Sequence, residues 1–322
     1  MPSPLLLLSY GAPERPEDVV PFLHNILSGK DVADARITAA AQKYNRFAER
    51  TGYYSPLNAE CRKLILGIRQ IMPELTIYWG NLFWHPLLTD TVAEMSRDGV
   101  EHAFCFVTSA FDSPSGNLRY ADALSKASGA NPPIKIEKMP LPFEHPLFIE
   151  AQTERLLEAI KQAGQRQHSI TRGITRGGML PSRAYILFSA HSIPLVDSSR
   201  SHYVEQLQSV CRSVIKEAVK TMGHEIPWEL VYQSRSGASE HWLGPNIEER
   251  VGDLAKREHI ESIIVSPIGF FCENMETEYD LDIDIGEWCS ALGCDYHRAK
   301  AVGAMPQVCR MISEFMLTES HA

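Results

Sequence analysis

Short apolar runs, separated by longer amphipathic stretches, constrain the fold of this chain more than any other feature of its sequence. The runs are continuous rather than alternating, which is typical of strands covered on both faces. Pro16 and Pro56 lie where two of the intervening helical patterns begin. This alternation predicts an α/β protein with parallel sheets flanked by helices. The runs are residues 4–9, 75–79, 102–107, 134–138, 184–189, 229–233 and 262–266.

A cluster of prolines near the middle of the chain divides the predicted strands into two groups. Pro140, Pro142 and Pro146 lie close together, and prolines at this density interrupt regular structure. About four predicted strands precede the cluster and at least three follow it. We therefore expect two Rossmann-like domains, residues 1–143 and 144–322, with a last helix at about 305–319 as a candidate to pack back on the N-terminal half.

Charge, hydropathy and cysteine content narrow the class of protein. The net charge of −9, from 40 acidic residues against 31 lysines and arginines, argues against a nucleic-acid partner, because that binding requires a basic surface. No stretch approaches the ~18 consecutive apolar residues of a membrane span, and no basic residues precede the first apolar run as in a signal peptide. The seven scattered cysteines favour free thiols in a reducing compartment. We expect a cytoplasmic protein without an integral membrane segment.

The motifs of common enzyme classes are absent from the sequence, so candidate functional residues come from the predicted strand ends. Neither a nucleotide-binding glycine motif nor a nucleophile elbow occurs, and Cys289 and Cys294 have the spacing of neither a zinc ribbon nor a redox motif. In open α/β sheets, ligands bind beyond the carboxyl ends of the strands. Tyr10 and His191 follow two predicted strands closely, and Trp242 lies beyond a third. Each of these side chains also has a purely structural interpretation, as a capping aromatic, a satisfied histidine or loop packing.

An acidic segment follows the last predicted strand. If it is helical, Glu276, Asp280 and Asp284 lie on one face, although like charges at this spacing destabilise a helix. No lysine occurs within residues 259–299 to balance them. The segment is either an acidic exposed helix or a row of carboxylates that carries divalent metal ions or protons. His191 can accept a proton or bind a transition metal. The histidine and the row of carboxylates together indicate a protein that handles metal, and because no three or four ligands are closely spaced, we expect it to pass the metal on and not to store it.

Residues 162–183 contrast with the rest of the chain in charge. They contain four arginines, no acidic residue and a short duplication of the sequence ITRG. The segment is either a mobile surface insertion or a loop that contacts an anion, and the sequence leaves both interpretations open.

The residues at these strand ends resemble those of ferrochelatase, the enzyme that inserts Fe²⁺ into a porphyrin. The resemblance runs through nearly the whole chain, and FSAHS and the PIGF…ET…Y block are its most specific parts. The length and the N-terminal segment are most similar to the short bacterial type, which includes enzymes acting on coproporphyrin III and others acting on protoporphyrin IX. The shared segments are LLLLSYGAP, PEDVVPFL, YYSPL, FSAHSIP, YQSR, WLGP and PIGFFCENMETEYDLDID.

The resemblance implies two chelatase-type domains with the porphyrin in the cleft between them. His191 and Glu276 correspond to the family's pair at the metal, and Asp280 and Asp284 to the acidic row that continues from Glu276. Fe²⁺ is then a substrate, so no organic cofactor is required, and no cysteine pattern carries over an iron–sulfur cluster. Many relatives have a histidine where this chain has Asn274. A histidine therefore cannot orient Glu276 from this position, although the amide of Asn274 can still form hydrogen bonds.

The resemblance also implies which residues touch the macrocycle. Tyr10 matches a tyrosine that faces the ring in the coproporphyrin-type enzymes, and Trp242 matches a tryptophan of the cleft. Beyond porphyrin and Fe²⁺, the family leaves room for transient contacts with other enzymes of haem synthesis. Candidates to hold propionates at the mouth of the pocket are Lys30, Arg46, Ser55 and Tyr120.

Insertion of Fe²⁺ removes two pyrrole protons and requires a bent ring, which a protein promotes by binding the bent form more tightly. We assign His191 as proton acceptor or first metal contact, Glu276 as its partner, and Asp280 and Asp284 as the path for metal or protons. Two alternatives are another tetrapyrrole chelatase, such as a cobalt enzyme acting on sirohydrochlorin, and a non-catalytic haem or tetrapyrrole carrier. The acidic row favours an enzyme, since a carrier needs an axial ligand but no row. The proton acceptor and the choice between the two porphyrins stay open.

Overall fold

The computed structural model describes residues 3–28, 33–129, 134–170, 183–235 and 241–319. Within these residues, eight strands form two four-stranded sheets in which every pairing of neighbouring strands is parallel. This arrangement confirms the predicted α/β class with two parallel sheets. Lys30 and residues 171–182 of the basic segment lie outside the described residues. The strands are β1 (Leu5–Ser9), β2 (Ile77–Asn81), β3 (His102–Val107), β4 (Lys135–Lys138), β5 (Ala184–His191), β6 (Trp228–Gln233), β7 (Ser262–Ser266) and β8 (Asp295–Arg298).

Helices connect the strands, and α3 illustrates why they form. Leu57, Cys61, Leu64 and Ile68 recur every three or four residues and are all buried, which gives the helix one apolar face toward the core. The α-helices are α1 (Pro16–Leu27), α2 (Asp34–Thr51), α3 (Leu57–Ile71), α4 (Leu88–Arg97), α5 (Arg119–Ala127), α6 (Pro146–Ile170), α7 (Leu195–Ser198), α8 (Tyr203–Met222), α9 (Ile247–Lys256), α10 (Gly286–Ala291) and α11 (Pro306–Glu319). Two π-helices (Pro114–Leu118 and Glu276–Ile285) and a 3₁₀ turn (Pro142–Glu144) complete the described elements.

The two sheets repeat one topology. Their strand orders are β2-β1-β3-β4 and β6-β5-β7-β8, so the first strand of each half lies inside its sheet. The chain continues first to one side of that strand and then to the other, and such a reversal leaves a crevice at the carboxyl ends of the strands. Tyr10 directly follows β1 and His191 ends β5. Both residues therefore lie at the carboxyl end of the first strand of their half.

Apolar packing joins the two halves of the molecule in one continuous core. Phe271, which follows β7, has its ring centroid 5.3 Å from that of Phe106 in β3 and 6.3 Å from that of Phe148 in α6. The last helix, α11, packs against α3 and α6, and the rings of Phe315 and Phe104 lie 5.6 Å apart. Burial of this aromatic surface therefore sets the relation between the two sheets.

Three strands differ from the sequence prediction. β5 extends two residues beyond the predicted run 184–189, so His191 ends the strand and does not follow it. β2 lies two residues further along the chain than the predicted run 75–79, since Leu75 is apolar and buried like a strand residue although it precedes the strand. The sequence does not predict β8, because its four residues DYHR contain no apolar run, and the strand pairs only with β7 at the edge of the sheet. Among the described residues, no helix is both long enough and apolar enough to cross a membrane.

Candidate active site

His191 stands at the end of β5, which has β6 on one side and β7 on the other. The hydroxyl of Tyr203 donates a hydrogen bond to the backbone carbonyl of His191 at 3.2 Å. The ring nitrogen Nδ1 of His191 lies 2.6 Å from the carbonyl oxygen of Ser192. Because a carbonyl oxygen can only accept a hydrogen bond, Nδ1 carries the proton and Nε2 is the nitrogen left for other chemistry.

The carboxylate of Glu276 faces this nitrogen, with 3.5 Å between Oε1 and Nε2 of His191. The two side chains are 43% and 37% exposed, so ligands can reach both. Burial by itself lowers the pKa of His191, but the charge of Glu276, helped by Ser192 and Asp280, raises that pKa to about 9. Burial also acts to raise the pKa of Glu276, but His191 and Lys43 hold that pKa below its usual range. At neutral pH the pair is therefore an imidazolium beside a carboxylate.

Asn274 orders the turn that carries Glu276. Its side-chain Oδ1 accepts hydrogen bonds from the backbone N–H groups of Glu276 at 2.8 Å and of Thr277 at 3.1 Å. In return, Oγ1 of Thr277 accepts one from the backbone N–H of Asn274 at 3.0 Å. This reciprocal arrangement satisfies the free N–H groups at the start of a helix. Asn274 thus positions Glu276 through the backbone.

Gln233 links both strand ends to this turn, although the sequence reasoning did not single it out as a site residue. It ends β6, where it is paired with His191. Its side-chain nitrogen donates to the carbonyl of Glu276 at 3.2 Å, and its Oε1 accepts from the hydroxyl of Ser189 at 2.6 Å. A buried amide with partners on both atoms holds the Glu276 turn at a fixed distance from β5. The one signal in the sequence is a polar residue at the end of an apolar run.

The acidic segment forms a π-helix, Glu276–Ile285, whereas the sequence pattern predicts that its carboxylates lie on an α-helix. π-helical turns are rare and occur frequently at functional sites. Because one turn of either helix takes about four residues, Glu276, Asp280 and Asp284 share a face in both. Burial raises the pKa of Asp280 and of Asp284. The three carboxylates form what we call the acidic row.

Basic partners of the acidic segment come from distant parts of the chain, which corrects the impression of an unbalanced charge cluster. Lys43 of α2, 237 residues away in sequence, forms an ion pair with Asp280. Arg298 of β8 pairs with Asp282 at 2.6 Å and with Glu273 at 2.9 Å. The absence of lysine near the row in sequence therefore does not mean that the row lacks a cation in space.

Tyr10 belongs to an aromatic cluster on the N-terminal side of the site. Its ring centroid lies 4.6 Å from that of Phe83 and 6.4 Å from that of Phe22. Burial raises the pKa of its phenol to about 12, although the neighbouring Arg119 acts to lower it. Tyr44 of α2 packs edge-on against Phe22 with 6.1 Å between centroids. The sequence does not identify either Arg119 or Tyr44: no helix is predicted around Arg119, and the pattern around Tyr44 does not show which side of that helix meets a cleft.

Trp242 lies beside the chain that leaves β5. It forms an isolated antiparallel bridge with Pro194, and the backbone N–H of Leu243 donates to the carbonyl of Ile193 at 3.0 Å. The hydroxyl of Ser192 also donates to the carbonyl of Leu243, at 2.9 Å. These bonds bring the WLGP segment next to the residues that directly follow His191.

The candidate propionate contacts differ in accessibility. Arg46 is exposed on α2, whereas Tyr120 is only 5% exposed and its burial raises the pKa of its phenol. Ser55 accepts a hydrogen bond from the backbone N–H of Leu57 at 3.4 Å and lines a cavity of about 800 Å³ with Tyr53 and other residues. Lys30 lies outside the described residues. The structure thus leaves Arg46 accessible to an anion and encloses Tyr120.

The site combines groups that can accept protons, groups that can bind a metal ion, and the aromatic cluster around Tyr10. His191 and Glu276 offer one nitrogen and one carboxylate to the same proton or metal ion. Within the part of the chain that the structure describes, no three histidine, cysteine, aspartate or glutamate side chains come close enough to hold a metal ion. The carboxylates are spread along a helix face instead, which suits weak and exchangeable binding of a divalent cation.

Comparison with known proteins relates nearly the whole chain to one family, since residues 3–320 match the family described as Ferrochelatase. The coproporphyrin III ferrochelatase of Frankia alni is 37% identical over 97% of this chain and 78% of the relative. The ferrochelatase of Rhodopirellula baltica is 34% identical over 95% of this chain and 83% of the relative. The coproporphyrin III ferrochelatase of Nocardia farcinica is 36% identical over 97% and 86% respectively.

Solved structures of similar fold have much lower sequence identity. SirB from Bacillus subtilis with Fe³⁺ superposes with a TM-score of 0.53 at 12% identity, covering 100% of this chain and 96% of that chain. The sirohydrochlorin chelatase SirB from Bacillus subtilis subspecies spizizenii, in complex with cobalt, gives a TM-score of 0.51 at 10% identity, covering 99% and 95%. At such identity the likeness shows the fold alone.

Proposed function

This chain belongs to the ferrochelatase family, and we propose that it inserts Fe²⁺ into a porphyrin through the pair formed by His191 and Glu276. The enzyme is a porphyrin metal chelatase, a lyase of haem biosynthesis. The observation that carries the proposed role of the pair is the distance of 3.5 Å between Nε2 and Oε1. At that distance the charge of each group acts strongly on the other, and one metal ion can contact both.

The pair has to release a proton before it can accept those of the porphyrin. Insertion exchanges two pyrrole protons for one Fe²⁺, so the charge of the macrocycle is unchanged and two protons leave. The pair starts with one proton, held on His191 by Glu276. An arriving divalent cation repels the imidazolium, and the proton departs toward solvent. The neutral imidazole and the carboxylate are then two acceptors for the two pyrrole protons.

The acidic row supplies the path along which metal arrives or protons leave. Asp280 and Asp284 continue from Glu276 along one face of the π-helix. Carboxylate oxygens bind Fe²⁺ without the selectivity of a thiolate site, so the ion can move from one to the next. Tyr10 and Trp242 are proposed to contact the macrocycle, since both lie beside the strand ends that position the pair.

We propose coproporphyrin III as the porphyrin. The support is that the relatives from Frankia alni and Nocardia farcinica are coproporphyrin III ferrochelatases. Coproporphyrin III carries propionates where protoporphyrin IX carries vinyl groups, and Arg46 offers an exposed cation for a carboxylate. Turnover of the two porphyrins is compared side by side under anaerobic conditions. Faster turnover of protoporphyrin IX would reverse the choice.

The remaining proposals concern cofactors, location and partners. We propose that the reaction needs no organic cofactor and no iron–sulfur cluster, because the metal is itself a substrate. We also propose that the protein works in the cytoplasm without a nucleic-acid partner and makes transient contacts with other enzymes of haem synthesis. The net charge of −9 supports the exclusion of nucleic acid. Iron and sulfide analysis of the purified protein tests the cluster, since stoichiometric sulfide would contradict its absence.

Substitution of His191 tests the proposed chemistry. In His191→Ala, porphyrin binding persists and insertion is abolished, which the absorbance change of the porphyrin with Fe²⁺ measures. Asp284→Ala weakens the apparent affinity for metal more than that for porphyrin. Full activity of His191→Ala would reject the assignment of the pair. Efficient insertion of Co²⁺ into sirohydrochlorin by the native protein would favour the other chelatase, and stoichiometric porphyrin binding without turnover would favour a carrier.

A further inference from the structure

One ammonium group contacts the acidic row and acts electrostatically on all three of its carboxylates. Nζ of Lys43 forms an ion pair with Asp280 and lies 4.7 Å from the centroid of the Tyr279 ring. Burial acts to raise the pKa of each carboxyl group of the row, and the charge of Lys43 acts to lower all three. A single positive charge therefore already balances part of the negative charge to which a metal ion would bind.

Other contacts suffice to hold α2 against the π-helix and the adjoining α10, so Lys43 is not needed as an anchor. Phe47 is fully buried in a small core cluster with Met275 and Tyr279, and its ring centroid lies 6.4 Å from that of Tyr279. Arg50, one helical turn beyond Phe47, forms a second ion pair with Glu287 at 2.6 Å. Apolar burial of this kind stabilises a contact more than one partly exposed ion pair does.

The two partners of the ion pair differ in exposure, so Lys43 can leave the pair while Asp280 stays in place. The side chain of Lys43 is 36% exposed, whereas that of Asp280 is only 16% exposed. Asp280 is also held in place by the hydroxyl of Ser234, which donates to Oδ2 at 2.6 Å. A lysine side chain has a flexible four-carbon stem, so its ammonium can swing into solvent while the carboxylate stays fixed.

We propose that Lys43 is a resident counter-ion of the acidic row, which an incoming divalent cation displaces when it binds Asp280 and the neighbouring carboxylates. This inference rests on the proposed function, in which the row conveys Fe²⁺ to the pair. Displacing the ammonium costs part of the free energy of metal binding. The cost keeps the row's affinity for metal low, and a cation that binds weakly can move on to the porphyrin. The row therefore hands on metal and does not retain it.

Substitution of Lys43 tests this competition directly. Lys43→Met keeps the length of the stem and removes the charge, and Lys43→Arg keeps the charge. Each protein is titrated calorimetrically with Co²⁺ alone, without porphyrin. We expect Lys43→Met to bind Co²⁺ about tenfold more tightly than the native protein, and Lys43→Arg to bind like the native protein. In turnover assays, the KM for Fe²⁺ falls in Lys43→Met while the KM for porphyrin stays unchanged.

Two further variants show whether any change in Co²⁺ affinity comes from competition between Lys43 and the metal ion. In Asp280→Asn, adding Lys43→Met brings no gain in Co²⁺ affinity, because the partner of the ammonium is already gone. Arg50→Met, which removes the other α2 ion pair and a weaker influence on Asp284, raises Co²⁺ affinity much less than Lys43→Met does. Unchanged or weaker Co²⁺ binding by Lys43→Met, or an equal gain in Arg50→Met, would overturn the proposal. Lys43→Gln replaces Lys43→Met if thermal unfolding shows that the latter folds poorly.

The Co²⁺ titrations remain decisive whatever the outcome for the enzyme activity. If the native protein inserts no iron, the proposed function fails, while the comparison of Lys43→Met with the native protein still decides whether Lys43 competes with metal. If iron is inserted and Lys43→Met shows no gain in Co²⁺ affinity, the inference about Lys43 fails alone.

Discussion

Replacing Glu276 by glutamine removes the charge that holds a proton on His191. The native pKa of His191 is about 9 because the attraction of Glu276 outweighs the effect of burial, which lowers it. In Glu276→Gln the shape of the side chain is kept, and burial is opposed only by the weaker influences of Ser192 and Asp280. The pKa of His191 must therefore fall.

The size of this fall follows from the distance between the two groups. Unit charges 3.5 Å apart attract each other by about 1.2 kcal/mol at the dielectric constant of water and by about 4.7 kcal/mol at an effective value of 20. Both side chains are more than a third exposed, so solvent screens the pair and the lower value sets the minimum effect. It corresponds to a fall of about one pH unit, and because Glu276 is the main influence that raises the native pKa against burial, we expect the pKa of His191 in Glu276→Gln to lie below about 8.

NMR titration of the histidine ring signals measures this pKa, with His191 assigned from the spectrum of His191→Gln. Glu278→Gln is the matched control, because it removes the same charge two residues further on. The carboxylate of Glu278 accepts a hydrogen bond from the Tyr53 hydroxyl at 2.6 Å instead of facing His191. The control should leave the pKa of His191 nearly unchanged. A native pKa near 6.5, or equal shifts in both variants, would refute the electrostatic argument.

Three further predictions concern the cap, the strand end and the pH dependence. Asn274→Ala leaves two N–H groups unpaired and lowers the free energy of unfolding by about 1 kcal/mol, while Asn274→Asp largely retains the cap, as urea denaturation can measure. Gly269→Ala would place a Cβ 2.5 Å from that of Ala190, so we expect the free energy of unfolding to fall by about 1–3 kcal/mol and insertion to slow. Thermal unfolding measures the stability, and an unchanged stability would contradict the close packing. Because metal competes with the proton on Nε2 of His191, Co²⁺ affinity should rise with pH toward about 9, and a flat profile would count against that competition.

Local sequence patterns predict the strands and their ends well where burial is uniform. The runs at residues 4–9, 102–107 and 262–266 coincide with β1, β3 and β7 to within one residue, because a strand covered on both faces is apolar throughout. β8 escapes prediction because an edge strand of four polar residues takes its conformation from its neighbour in the sheet. The π-helical form of residues 276–285 also escapes, since its spacing of carboxylates fits either helix.

The sequence by itself determined the class of fold and the kinds of chemical group at the site. The sequence predicts that His191 lies at the end of a strand and that the carboxylates follow the last predicted strand. This is possible because strand formation and helix periodicity depend on near neighbours in the chain. Only the tertiary structure decided which of these groups meet. The contact of His191 with Glu276 and the pairing of Lys43 with Asp280, 237 residues apart, arise from the packing of one sheet and its helices against the other. Electrostatic partners act through space, so their charge balance cannot be read from a stretch of sequence.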